Sequence, residues 1–205
     1  MKNILISIQP QWVERILNGE KTVEIRKTVP NCELPCRVYI YCTKAKLPQQ
    51  GKGCVKADHL TMPNFFNGRY SRYVLGANYG ECLNGKVVAE FTLNKVEDFS
   101  KWEYDFGALV RHIDLWAGTR GDYPFLINYL KGQKKGYAWH IEDLAIYDKP
   151  KELSEFKKYC NLVHNKQNIQ CFKPLCKNKE ICNKEQMAIT RPPQSWCYVE
   201  GLYEN

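Results

Sequence analysis

The residues best suited to chemistry lie in one short stretch, Gly19-Glu20-Lys21-Thr22-Val23-Glu24-Ile25-Arg26. Strand alternation from Thr22 to Val29 puts Val23 and Ile25 on one side and Glu24 and Arg26 on the other. Glu24 and Arg26 then stand roughly 7 Å apart along one face, with Lys21 beside them at the turn. Such a mixed cluster can hold a polar ligand by complementary charge, or keep a proton donor or acceptor in a defined place. The plainer reading is a surface ion pair contributing under about 1 kcal/mol.

Two other groups of residues carry chemistry. Cys171, Cys176, Cys182 and Cys197 could hold a structural zinc ion, with Cys160 or His164 as replacements. Zinc takes four thiolate or imidazole ligands in a tetrahedron, and a loop-rich tail without a core gains most from such a clip. The alternative is a set of free thiols, and the remaining cysteines (Cys32 and Cys36 beside a proline, then Cys42, Cys54 and Cys82) read as small hydrophobes. In the second group, Lys52, Lys56, Arg69 and Arg72 are interleaved with Phe65, Phe66, Tyr70, Tyr73 and Tyr79. Basic groups neutralise phosphates and aromatic faces stack unpaired bases. Arg69, Arg72 and Tyr70 are therefore ligand-binding candidates, although the same aromatics could simply pin a long loop. Trp139 and His140 also invite base recognition. Alternation lets only one of them face a cleft; Trp139 is the candidate, and His140 is expected buried and hydrogen-bonded.

These side chains need a scaffold, and the pattern of apolar residues predicts an α+β one. Ile4 to Ile8 reads as a buried strand. Pro10 opens a helix whose apolar face is Trp12, Val13, Ile16 and Leu17, and Gly19 suits its cap. Cys36–Cys42 and 85–93 read as strands rich in β-branched and aromatic residues. A helix is expected over 122–131, strands over 136–141 and 144–147, and a further helix from Lys151 to Tyr159. Pro150 is expected to close a main domain, 1–150, interrupted by an insertion at about 44–84. A cysteine-rich extension, 151–205, would pack back on it.

Composition narrows the function classes. The chain has 205 residues and a net charge of +8. Residues 44–85 carry +4 and 151–205 carry +3, while 86–150 are close to neutral. That excess suits a polyanion, RNA or DNA, or merely a solvated surface. No apolar run reaches the roughly 20 residues of a membrane span, so no membrane partner is expected. The start shows no signal-peptide cleavage pattern, which favours reduced thiols and a cytoplasmic location. P-loop, dinucleotide-binding and nucleophile-elbow patterns are absent, which argues against a cofactor-dependent metabolic enzyme.

The opening Ile4-Leu5-Ile6-Ser7-Ile8, the helix with Ile16-Leu17, and Gly19-x-Lys21-x-x-Glu24-x-Arg26 resemble the start of an ASCH domain, a branch of the PUA-like superfamily. Residues 85–91, 136–150 and 191–199 resemble its later strands, the last being like the ending of a bacterial and phage subset. The resemblance implies a small β-barrel with flanking helices and a cleft where Lys21, Glu24 and Arg26 converge on RNA or a modified nucleotide. One branch of the family is an amidohydrolase acting on acetylcytidine through a lysine, a threonine and a glutamate. Lys21 matches the lysine, but Glu24 occupies the threonine position, and a carboxylate does not replace a hydroxyl nucleophile. An enzymatic alternative, a nucleoside amidohydrolase or a ribonuclease, would use Glu24 as a base toward water and Lys21 to stabilise negative charge. A third alternative is a transcription-linked regulatory adaptor.

Overall fold

The computed structural model describes residues 2–44, 82–98, 129–130, 136–159 and 188–202. Strand β1 (Asn3–Ile8) is the hub: it pairs in parallel with β3 (Cys36–Cys42) and antiparallel with β8 (Trp196–Val199). On the far side of β3 lie β4 (Val87–Leu93) and then β7 (Glu142–Lys151), in the order β7-β4-β3-β1-β8. A second sheet holds β2 (Val23–Arg26), β6 (Tyr137–His140) and β5 (Val96–Asp98), in the order β2-β6-β5.

Both faces of the larger sheet are covered. On one side Ile4, Ile6, Ile8, Val38, Ile40 and Phe91 pack against Val13, Ile16 and Leu17 of α1 (Pro10–Leu17) and against Trp139 from the second sheet. On the other, Leu5, Tyr39, Tyr41 and Val87 meet Leu153, Phe156 and Ile189. A strand buried on both faces must be apolar throughout, which is why Ile4-Leu5-Ile6 shows no alternation. Among the described residues no sheet closes on itself; the two sheets meet through side chains, Trp139 chief among them. The molecule is thus α+β with a mixed main sheet, while the closed barrel of the family resemblance is not formed by one continuous ladder.

Two expected elements differ for identifiable reasons. The strand expected over 144–147 is longer, because β7 begins at Glu142 and runs through Pro150 to Lys151, which pairs with Val87. As an edge strand β7 needs only one row of ladder hydrogen bonds, so a residue lacking N–H is tolerated there. The helix expected from Lys151 to Tyr159 is a single 3-10 turn, Leu153–Glu155, closed by a reciprocal Glu152–Glu155 capping box. Phe156 then turns extended, and Lys157 and Lys158 form bridges to Ala188 and Val199. The spacing of Leu153 and Phe156 suits one turn, which drops both side chains into the core. Residues 45–81 of the expected insertion, most of the expected 122–131 helix and 160–187 lie outside the described residues.

Phe156 is fully buried with its ring 5.0 Å from that of Tyr39, edge to face. Replacing it with alanine should cost about 3–5 kcal/mol, read as a lower urea midpoint with an unchanged slope.

Candidate functional site

The turn after α1 places the first functional side chain. Asn18 ends the helix, and Gly19 takes φ +73°, a conformation that glycine adopts without steric cost. Gly19 N–H donates to Ile16 O and Glu20 N–H to Arg15 O, the paired bonds of a Schellman cap. The next residue, Lys21, is thereby turned inward and is only 4% exposed.

Lys21, Glu24 and Arg26 form one continuous ion-paired row. Lys21 Nζ lies 3.2 Å from Glu24 Oε2, and Arg26 Nη2 lies 2.9 Å from Glu24 Oε1. The Lys21 ammonium also donates to the Val23 carbonyl and sits 5.7 Å from the Trp12 ring centre. Burial pushes the Lys21 ammonium below its ordinary 10.5, against the opposing pull of Glu24. Arg26 reaches further: Nη2 donates to Ser7 O at 2.8 Å and Nη1 to Ser195 Oγ at 3.4 Å. All three side chains are buried, so the surface ion-pair reading does not hold.

The reason lies in the strand pairing. Both faces of β2 are buried, so its alternation separates apolar from charged rather than inside from outside. Val23 and Ile25 are buried on the face shared with Ala138 and His140 of β6, while Glu24 and Arg26 form the floor of a cleft of about 560 Å³ that Ile25 also lines. The end of β1 and Trp12 of α1 flank that floor; Lys27, Thr28, Tyr129 and the 192–195 segment complete the walls. Ser7 binds the walls together. Its hydroxyl donates to Pro193 O at 2.7 Å, its N–H donates to Ser195 O at 2.9 Å, and its carbonyl holds Arg26. Trp196 Nε1 adds a bond to Thr28 Oγ1 at 3.0 Å. Chemically, the cleft offers two cations to one carboxylate in a setting of reduced dielectric, where each charge acts more strongly than in water. Arg26 Nε is buried without a hydrogen-bond partner among the described residues.

Trp139 is not a cleft residue. It pairs with Glu24 across β2 and β6, yet it is fully buried, and its ring lies 5.8 Å from that of Trp196. It flanks the charged row as core, on the same face of the second sheet as Glu24. His140 lies on the other face, opposite Val23, with Nε2 3.3 Å from Glu97 Oε2. Arg69, Arg72 and Tyr70 lie outside the described residues, as do Cys160, His164, Cys171, Cys176 and Cys182. Cys197 is described: it sits opposite Leu5 on β8, half-buried against the core, and burial raises its thiol pKa. Among the described residues no group of three or more histidine, cysteine or acidic side chains is placed to hold a metal ion.

Sequence reasoning missed Ser7, Tyr129 and Ser195 as site residues and treated Trp12 as helix core. Ser7 did carry a signal, being the one hydroxyl within an apolar strand. Tyr129 and Ser195 are 103 and 169 positions from Arg26 in the chain, and nothing local marks them. Tyr129 shares the cleft lining with Arg26; burial pushes its hydroxyl pKa up and the nearby guanidinium partly offsets this.

Comparison with known proteins places this geometry. A 43-residue stretch is 40% identical to an "ASCH domain-containing ribonuclease" of Zymomonas mobilis, covering 21% of this chain and 29% of that protein's length. The crystal structure of ASCH from Zymomonas mobilis superposes with a TM-score of 0.51 at 18% identity, over 97% of this chain and 88% of the other. A serine-to-alanine mutant of that same protein gives 0.52 at the same identity, over 97% and 89%. At that identity the likeness establishes the fold. The ASCH domain model matches residues 6–164, well over half of the 205 residues, and this chain therefore belongs to the ASCH domain family.

Proposed function

We propose that the cleft floored by Lys21, Glu24 and Arg26 binds RNA or a modified nucleotide. The observation that carries the reading is the buried row itself, in which two cations face one carboxylate at the base of an open cavity. Burying charges costs several kcal/mol per ion, an arrangement poorly explained by stability alone. One net positive charge suits a phosphate, and the ring of Trp12 with that of Tyr129 offers apolar faces for a base. Membership of the ASCH family and a relative named as a ribonuclease support an RNA-related role. Arg69, Arg72 and Tyr70 would extend the contact as a basic, aromatic flank.

A second reading is hydrolysis, favoured by Glu24 standing 3.2 Å from Lys21 inside the cleft. Glu24 would take a proton from water while Lys21 stabilises charge developing on the substrate. Both carboxylate oxygens already accept from cations, so catalysis requires one of these contacts to open as substrate enters. Assaying wild type and Glu24→Gln on RNA and on acetylated nucleosides separates the readings: turnover by wild type that is lost in the variant marks a hydrolase. Binding without turnover marks a recognition module, and a captured protein partner with no nucleic-acid affinity marks the adaptor.

Reversing Lys21 or Arg26 to glutamate would bury like charges beside Glu24, so milder changes test the site. Lys27→Gln, on the cleft wall, should leave the fold intact and lower the salt slope of RNA affinity by about one. An unchanged slope in a gel-shift titration counts against the cleft. Glu24→Gln leaves two buried cations without their shared partner and should destabilise by about 3–5 kcal/mol, measured by urea unfolding. Lys21 supplies charge only while protonated, so affinity should fall as pH rises through a value below 10.5. In Lys21→Gln that fall should be absent.

A further inference from the structure

The loop that leaves the cleft ends at a pair of thiols. After Lys27 and Thr28, which line the cavity, the chain crosses to β3 through Cys32, with Cys36 as the first residue of that strand. Cys32 Sγ and Cys36 Sγ are in contact at 3.6 Å. A disulfide has its sulfurs about 2.05 Å apart, so a modest movement would join them. The residues between, Glu33, Leu34 and Pro35, are exposed and can take up that movement without disturbing packed side chains.

The two thiols differ in a way that assigns roles. Cys32 is half-buried at the edge of the core, so part of it meets solvent, while Cys36 is 3% exposed. Burial, and then the neighbouring Cys32, pushes the Cys36 thiol up to about 12. Thiolate is the attacking form, so the accessible Cys32 reacts first and the protonated Cys36 waits beside it.

We propose that Cys32 and Cys36 are a dithiol site for hydrogen peroxide, closing reversibly to a disulfide at the start of β3. In the first step the Cys32 thiolate attacks one peroxide oxygen and the O–O bond breaks. The released hydroxide takes a proton and leaves as water, and Cys32 becomes a sulfenic acid. In the second, Cys36 sulfur attacks the Cys32 sulfur and the S–O bond breaks. The Cys36 proton leaves with the hydroxide as a second water. Two thiols and one peroxide thus become one disulfide and two waters, the peroxide being reduced and the sulfurs oxidised. External thiols reverse the change by exchange.

The sequence makes the test direct, because trypsin cleavage after Lys27 and Arg37 releases a peptide, 28–37, that contains these two cysteines and no other. The full chain, reduced and desalted, is treated with one equivalent of hydrogen peroxide, alkylated and digested. Expected is a 28–37 peptide lighter by two hydrogens and without alkyl groups, which regains both alkylation sites after dithiothreitol. Cys36→Ala should instead trap a sulfenic acid on Cys32, labelled by dimedone, and Cys32→Ala should leave Cys36 unlabelled. A doubly alkylated 28–37 peptide while other thiols of the chain are oxidised would overturn the proposal, as would linkage of Cys32 to a different cysteine. The wild-type peptide decides the matter even if Cys36→Ala fails to fold.

Discussion

The structure depends on a strand that must be buried on both sides. Asn3–Ile8 is held between a parallel neighbour and an antiparallel one, with α1 packed over one face and Phe156 and Ile189 closing the other. A strand in that position has its backbone hydrogen bonds satisfied on both edges and its side chains excluded from water, so it can shift neither register nor direction. Its last turn outward, at Ser7, is where the polar network begins. The Ser7 carbonyl, amide and hydroxyl are each committed, to Arg26, Ser195 and Pro193 respectively. Segments more than 160 residues apart in the chain are brought to one cleft because they bind the end of the same strand.

The ion-paired row extends from that anchor. Glu24 would be unstable in this setting alone, and so would either cation; together each offsets the desolvation of the others. Arg26 bridges the two sheets, since it belongs to β2 yet hydrogen-bonds to β1 and to the segment before β8. The site and the packing of the sheets are therefore the same feature. Beside it Trp139 fills the space between the sheets, so an aromatic residue next to the charged row serves packing rather than recognition.

Elements whose character is local were legible from the chain. The helix Pro10–Leu17 follows from an apolar stripe with a proline at one end and a glycine past the other, and the Gly19 cap forms as its position implied. Strands β1, β3 and β4 follow from their apolar and β-branched content. Residues 151–159 were misjudged because their fate depends on partners: Leu153 and Phe156 have helical spacing, but their partners are Tyr39 and the main sheet. The strand expected over 144–147 was read too short because the tolerance of Pro150 within it depends on β7 being an edge, which no local pattern reveals.

By itself the sequence determined that Lys21, Glu24 and Arg26 share a turn and one face of a strand, since a period of two residues places them there whatever surrounds them. It also determined the family, through that stretch and the strands flanking it. Tertiary structure decided whether the charged face met water or protein. Burial is set by what packs from elsewhere in the chain, and here β1, Tyr129 and the 192–195 segment enclose the row. They turn what would be an exposed ion pair of little consequence into a buried, hydrogen-bonded floor. Tertiary structure also placed Trp139 beside Glu24 and Ser195 beside Arg26, because cross-strand pairing and sheet contacts join residues without regard to their distance along the sequence.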